Sequence, residues 1–132
     1  MEQILQSKGF DVTRTVVPDE VDQIVNAIKT QVTSTDLVLT TGGTGFGPRD
    51  VTPEATATVI EREASGLIHA MIASGLAKTP MAALSRARAG SVGSTLVINL
   101  PGSPKGASEN LDAVLSVIPH IIQLLSGDTE HS

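Results

Sequence analysis

Two glycine-rich loops, each placed between an apolar run and a helix start, constrain the fold of this chain more than any other feature. The first apolar run, residues 36–41, leads into a loop over 42–50, and Pro53 then stands where a helix begins. The second run, residues 95–100, is followed by a loop over 101–106. Such runs are typical of strands covered on both faces, and ligands of α/β sheets bind beyond the carboxyl ends of strands. The sequence therefore predicts an α/β fold with both loops at a ligand site.

The rest of the chain alternates between helical and strand periodicity, which supports a sheet flanked by helices. Predicted helices cover residues 2–8, 20–32, 53–64, 67–76, 80–84 and 107–125, and predicted strands cover 10–17, 36–41 and 95–100, with a further strand or hairpin over 85–93. Asp19 is placed to cap the second helix and Thr52 to cap the third, while Thr79 and Pro80 mark the start of the fifth. Pro119 should kink or split the last helix.

Composition excludes several classes of protein. The 132 residues, 40% hydrophobic and 17% charged, fit one soluble globular domain over 1–132, and the absence of cysteine excludes disulfides and thiolate chemistry. The net charge of -5 and an aromatic content of 2% argue against a nucleic-acid partner. No apolar run approaches the roughly 18 residues of a membrane span, and the first residues lack a signal-peptide pattern. We therefore expect no membrane partner and a cytoplasmic location.

The charges are unevenly distributed along the chain. Residues 64–108 contain no Asp or Glu but include Lys78, Arg86, Arg88 and Lys105, so this stretch carries +4 and the remainder -9. A small anion could be attracted to this region. Alternatively, the segment is mostly buried and has little room for acidic side chains. Both interpretations are compatible with the sequence.

The first loop satisfies neither of two familiar phosphate-binding motifs. Gly42 and Gly47 have the spacing of a P-loop, but Pro48 and Arg49 replace its lysine and hydroxyl residue. A dinucleotide fingerprint that began at Gly43 would need a glycine where Pro48 stands. Glycines and a following helix start still favour an anion such as phosphate. The alternative is a glycine-rich connector that binds no ligand.

Individual polar residues allow two interpretations each. Asp50 could bind a metal ion or only accept hydrogen bonds from loop amides, and Asp19 is most simply a helix cap. Lys105 could neutralise a phosphate or only keep the surface soluble. The histidines at positions 69, 120 and 131 have no metal-ligand partner at helical spacing, and no nucleophile elbow is present. The residues alone therefore indicate an anion site without fixing its chemistry.

Several longer motifs carry a resemblance that covers essentially the whole chain. Residues 40–56 read TTGGTGFGPRDVTPEAT and are followed by IERE at 60–63, LSR at 84–86 and GSTLVINLPGSPKG at 93–106, and preceded by VPDE at 17–20. This set resembles the signature of the molybdopterin-binding family, in particular molybdopterin adenylyltransferases and the G domain of gephyrin. The resemblance implies a three-layer αβα fold with a mostly parallel sheet. It also implies molybdenum cofactor biosynthesis by Mg-ATP-dependent transfer of AMP to the terminal phosphate of molybdopterin.

The resemblance also assigns roles to residues by position. It makes Asp50 a catalytic residue and the ligand of Mg²⁺, and Asp19 a second catalytic aspartate, against the simple capping role. The loops that bind ATP and molybdopterin match Gly42, Gly43, Thr44, Gly45, Ser85, Asn99, Pro101, Gly102 and Ser103, with Lys105 as the nearby cation. A homotrimer and a molybdenum-insertion domain or protein as partner are further implications.

The sequence departs from the family pattern at its amino terminus. Family members ordinarily begin with a strand and a Ser-Asp-containing loop, whereas residues 2–8 match the end of the helix that follows them. We therefore expect a single domain that is truncated at the amino terminus, with a strand missing beside residues 10–17. A catalytically impaired molybdopterin-binding or trimer-forming scaffold is the alternative function. A general nucleotide-binding α/β domain, indifferent to the pterin, is a third hypothesis.

Overall fold

A computed structural model describes residues 2–127 of the chain, so His131 lies outside the described residues. The helices and strands follow in the order α1 Glu2–Ser7, α2 Val21–Val32, β1 Leu37–Thr41, α3 Thr52–Val59, β2 Arg62–Glu63, α4 Ser65–Leu76, a 3₁₀ helix Pro80–Leu84, β3 Ala89–Val92, β4 Thr95–Leu100, α5 Pro104–Val114 and α6 Ile118–Leu125. None of the helices in this range has the length and apolar character that a bilayer crossing requires.

Four strands form one sheet in the order β1-β4-β3-β2. β1 is parallel to β4, with Leu39 opposite Ile98, whereas β3 pairs antiparallel with both β4 and β2. The predicted α/β class is confirmed, but the described strands form a mixed sheet and not a mostly parallel one. The reason is local, because β3 and β4 form a hairpin that turns at Gly93, where φ is 58°.

The strand β4 lies at the centre of the fold and all of its residues are buried, as its apolar sequence predicts. Alternate side chains point to opposite faces of a strand. Leu96, Ile98 and Leu100 join one apolar cluster with residues of α4, α5 and α6, whereas Val97 joins a second cluster with residues of α2 and α3. Helices therefore cover both faces of the sheet, and the predicted three-layer αβα architecture is confirmed.

Residues 10–17 do not form the predicted strand. Their backbone has no ladder partner among the described residues, because a cleft of about 1120 Å³ separates them from β1. Val16 is 90% exposed, although the alternating pattern placed it in a strand. An alternating sequence forms a strand only when a neighbouring strand can supply the other half of the ladder.

Helix boundaries agree with the sequence where local signals set them. Pro119 splits the last helix into α5 and α6, and the Thr79 side chain accepts a hydrogen bond from the Met81 amide at 3.2 Å. The predicted caps at Asp19 and Thr52 are wrong, since α2 begins after Glu20, α3 begins at Thr52 itself, and neither helix has a side-chain cap bond. The predicted helix over 53–64 ends at Val59, because the following residues leave it to pair as β2 with β3.

Candidate anion-binding site

The first loop, residues 42–50, needs glycine where it leaves β1. Gly42 and Gly43 have φ angles of 97° and 69°, in the left-handed region that other residues rarely adopt. The amide of Thr52 donates to the carbonyl oxygen of Gly43 at 3.2 Å, which fixes the end of the turn against the start of α3. The loop therefore has a defined conformation between β1 and α3.

The second loop, residues 101–103, lies directly against the first. The Gly42 amide donates to the Leu100 carbonyl oxygen at 2.9 Å. A Cβ at Gly102 would stand only 3.3 Å from the Gly42 Cα, so glycine is needed where the two backbones meet. Pro101 and Ser103 flank this contact, and the Ser103 hydroxyl accepts from the Gly106 amide at 3.1 Å as the cap of α5. The fold thus joins the two loops that the sequence singles out.

Both loops carry backbone amides without a hydrogen-bond partner among residues 2–127. In the first loop these are the consecutive amides of Gly43, Thr44, Gly45 and Phe46. In the second loop and the first turn of α5 they are the amides of Gly102, Ser103 and Lys105. Successive free N–H groups form a concave surface that favours an anion, and the N-terminus of α5 adds the positive end of its dipole. This arrangement defines a candidate anion-binding site.

The carboxylate of Asp50 has one of the two roles that the sequence left open and is free for the other. Its Oδ2 accepts from the Gly47 amide at 2.8 Å, so Asp50 organises the first loop. Its Oδ1 accepts no hydrogen bond within the described part of the chain, which leaves one oxygen for a ligand. Gly45 and Gly47 give the carboxylate room, since a Cβ on either would lie about 3 Å from Oδ2. The role of Asp50 as a metal ligand stays a prediction.

Asn99, predicted to bind the ligand, lies beneath the loops with no exposed surface. Its Nδ2 donates to the hydroxyls of Thr40 at 2.8 Å and Thr56 at 2.9 Å, and its Oδ1 accepts from the Arg88 amide at 3.0 Å. The side chain joins β1, α3 and the segment before β3. Its hydrogen bonds and its burial give Asn99 a structural role beneath the loops, and its role in ligand binding stays a prediction.

Other predicted site residues divide into two groups. Asp19, Gly42 and Gly102 line the cleft beside β1, so this cleft connects Asp19 with both loops. Ser85 and Lys105 do not line it. The Ser85 hydroxyl accepts from the Ala87 amide at 3.2 Å, and the Lys105 side chain is exposed near the free amides of the second loop.

Arg86 is the residue of this site that sequence analysis missed, beyond its place in a basic stretch. Its Nε donates to the Gly45 carbonyl oxygen at 2.7 Å, and its guanidinium pairs with the Glu54 carboxylate at 2.5 and 3.2 Å. These hydrogen bonds hold the pKa of the Glu54 carboxyl below its ordinary value and raise the pKa of Arg86. The LSR motif at 84–86 was a signal in the sequence, but by itself it does not indicate which residues Arg86 contacts.

Gly43→Ala is expected to lower the free energy of unfolding by about 1–3 kcal/mol and to weaken phosphate binding. The reason is twofold: φ is 69°, and a Cβ would collide with the hydroxyl of Thr52. Chemical denaturation measures the effect. Gly66→Ala in α4 is the matched control, because a Cβ at Gly66 meets no atom within 4 Å. Equal unfolding midpoints for the two variants would contradict the argument.

An α/β domain with paired glycine loops and a cluster of free amides has the features typical of domains that bind phosphorylated ligands. Within that class, residues 1–120 match the family described as "Probable molybdopterin binding domain". This chain belongs to that family. The expected family is thereby confirmed.

Individual relatives agree with this assignment. The chain is 50% identical over 119 residues to gephyrin of Dictyostelium discoideum, and 46% identical over 93 residues to a molybdopterin adenylyltransferase of Helicobacter pylori. These alignments cover 89% and 70% of this chain but only 16% and 53% of the two relatives. The structure of the molybdopterin biosynthesis Mog protein from Mycobacterium ulcerans superposes with a TM-score of 0.87 at 38% identity, covering 93% of this chain and 82% of that one.

Proposed function

We propose that this chain acts in molybdenum cofactor biosynthesis by transferring AMP from ATP to the terminal phosphate of molybdopterin. The observation that carries the proposal is the run of free amides from Gly43 to Phe46, which lies in a loop in contact with the second loop. The name of the Helicobacter pylori relative supports the choice of reaction. In this reaction an oxygen of the pterin phosphate attacks the α-phosphorus of ATP. A phosphoanhydride forms, and pyrophosphate leaves as the bond between the α- and β-phosphates breaks.

The main barrier to this reaction is electrostatic, because two negatively charged phosphate groups must approach each other. The free amides of both loops can donate hydrogen bonds to phosphate oxygens, and such preorganised donors cost no rearrangement during the reaction. Lys105, exposed at the start of α5, adds a positive charge to the segment that carries the free amides of the second loop. Asp19 lines the same cleft as Gly42 and Gly102 and is proposed as a second carboxylate of the site.

The residues present fit a magnesium ion that is held mainly by its substrate. Residues 2–127 contain no cluster of three or more His, Asp or Glu side chains that could bind a metal on its own. Mg²⁺ is commonly bound by one or two carboxylates together with substrate phosphates and water. Asp50, with its uncommitted Oδ1, is the residue we assign to hold it. The ion would supply positive charge that offsets the repulsion between the phosphates.

Three further parts of the proposal come from the family resemblance. These are a homotrimer, a molybdenum-insertion domain or protein as partner, and a cytoplasmic location. Light scattering coupled to size-exclusion chromatography tests the first directly, since a trimer has three times the 13.6 kDa mass of the chain.

A turnover assay with molybdopterin, ATP and Mg²⁺ tests the proposed reaction. We expect pyrophosphate to appear in proportion to the pterin consumed, and none to appear when the pterin is omitted. Isothermal titration with molybdopterin alone measures binding separately. Binding of the pterin without release of pyrophosphate would overturn the enzymatic proposal and leave a molybdopterin-binding module. Binding of ATP with no response to the pterin would leave a general nucleotide-binding domain.

A further inference from the structure

The side chain of Arg86 donates most of its hydrogen bonds to residues in and beside the first loop. Four of its five side-chain N–H donors are used. Nε donates to the Gly45 carbonyl oxygen, and one Nη2 hydrogen donates to the Asp50 carbonyl oxygen at 2.7 Å. One Nη1 hydrogen and the other Nη2 hydrogen donate to the Glu54 carboxylate. The Arg86 backbone amide donates to the Thr44 carbonyl oxygen at 2.8 Å. With so few donors left, Arg86 is poorly suited to contact a ligand directly.

These contacts determine where the free amides point. In a trans peptide unit the carbonyl and the following N–H point in opposite directions. Arg86 donates, through its own N–H groups, to the carbonyl oxygens of Thr44 and Gly45. The amides in the same two peptide units belong to Gly45 and Phe46, and they therefore point away from Arg86. The arginine holds the back of the loop, and the anion-binding N–H groups face outward.

The guanidinium is itself held in place from two directions. Glu54, in the first turn of α3, accepts from both Nη1 and Nη2. The ring of Phe46 lies 5.3 Å from the Arg86 guanidinium carbon, within the range of a cation-π contact. The planar fork thus connects three parts of the site: the loop tip, the carbonyl of Asp50 and the start of α3. A single ammonium group could not satisfy this geometry.

We propose that Arg86 is the positioning residue of the anion site, which sets the direction of the loop amides without contacting the ligand. The inference rests on the proposed function only in assigning a phosphate to those amides. The orientation of the loop itself can be measured without any ligand. This separation allows the two ideas to fail independently.

The matched variants are Arg86→Gln and Arg88→Gln. Both remove one positive charge from the same segment, but the Arg88 side chain pairs with Glu63 and makes no hydrogen bond or ion pair with residues 42–50. Trypsin can cleave after Arg49, which is exposed in the first loop. We expect Arg86→Gln to accelerate cleavage at this bond at least about tenfold, and Arg88→Gln to leave the rate within about twofold, because only the first releases the loop.

Titration with inorganic pyrophosphate is the second measurement. We expect Arg86→Gln to weaken binding at least about tenfold and Arg88→Gln at most about twofold. Arg86→Lys keeps the charge but loses the fork, so its loop should be cleaved nearly as fast as that of Arg86→Gln. Glu54→Gln, which keeps Arg86, should give an intermediate cleavage rate and covers the case in which Arg86→Gln does not fold.

The outcomes separate the two ideas. Equal cleavage rates for Arg86→Gln and Arg88→Gln would overturn the positioning role, as would full rescue by Arg86→Lys. If the wild-type chain binds no pyrophosphate, the proposed function is wrong. The cleavage rates then still decide the role of Arg86. If the two glutamine variants weaken pyrophosphate binding equally, the effect is one of net charge and the proposal fails.

Discussion

Asp50→Asn is expected to reduce the rate of AMP transfer by at least ~10²-fold while the fold remains intact. Asparagine keeps a side-chain oxygen that can accept from the Gly47 amide, as Asp50 does at 2.8 Å, so the loop retains its organising bond. What the variant loses is the negative charge that we assign to Mg²⁺. Steady-state release of pyrophosphate, together with the unfolding midpoint, measures the two effects separately.

Asp112→Asn is the matched control for this variant, because it makes the same chemical change at an exposed position of α5. We expect the control to retain the turnover of the unchanged chain. Turnover of Asp50→Asn within a factor of two of that value would show that Asp50 only organises the loop. A large loss of stability in Asp50→Asn would instead assign its main role to folding.

A second large effect concerns the free edge of β1. Within residues 2–127, β1 has β4 on one side and the cleft of about 1120 Å³ on the other, and residues 9–17 form the opposite wall. The Mycobacterium ulcerans structure is longer, since the superposition covers 82% of it. We propose that one further strand, preceding α1 in sequence, pairs with β1 and fills this cleft.

Adding the corresponding amino-terminal segment of a relative, roughly 25–30 residues or one strand with part of a helix, is expected to stabilise the chain by several kcal/mol. Each new backbone hydrogen bond contributes on the order of 1 kcal/mol, and the walls of the cleft lose their contact with water. We also expect tighter binding of molybdopterin, because Asp19 and Gly42 line the same cleft. Chemical denaturation and isothermal titration measure both effects.

A scrambled segment of the same length and composition is the control, since it adds chain without the strand pattern. We expect it to change neither the unfolding midpoint nor the pterin affinity. Equal values for the native-like and scrambled extensions would show that the strand is not needed and that β1 is a true edge.

Local signals in the sequence were sufficient for the elements that depend on near neighbours. The apolar run of β4 predicted a strand buried on both faces, and the order of Gly42, Gly43 and Pro53 predicted a turn followed by a helix. Pro119 predicted the break between α5 and α6 in the same way. These features arise from steric and hydrogen-bonding preferences that act over a few residues.

Features that depend on distant partners could not be predicted. Arg86 finds Glu54 at a separation of 32 residues, and Asn99 finds Thr56 at a separation of 43. Nothing near either residue indicates these contacts, so neither the contacts of Arg86 with the first loop nor the structural role of Asn99 could be predicted. Residues 10–17 show the converse, because their alternating pattern predicted a strand for which the described chain supplies no neighbour.

The most direct test of the account is whether phosphate oxygens contact the free loop amides. Amide ¹H–¹⁵N spectra of the chain, recorded during titration with Mg-ATP, report on each backbone N–H individually. We expect the largest shifts at Gly43, Thr44, Gly45 and Phe46, whose amides have no partner within residues 2–127. Saturable binding that leaves these four signals unchanged while amides elsewhere shift, such as those around His69, would contradict this expectation.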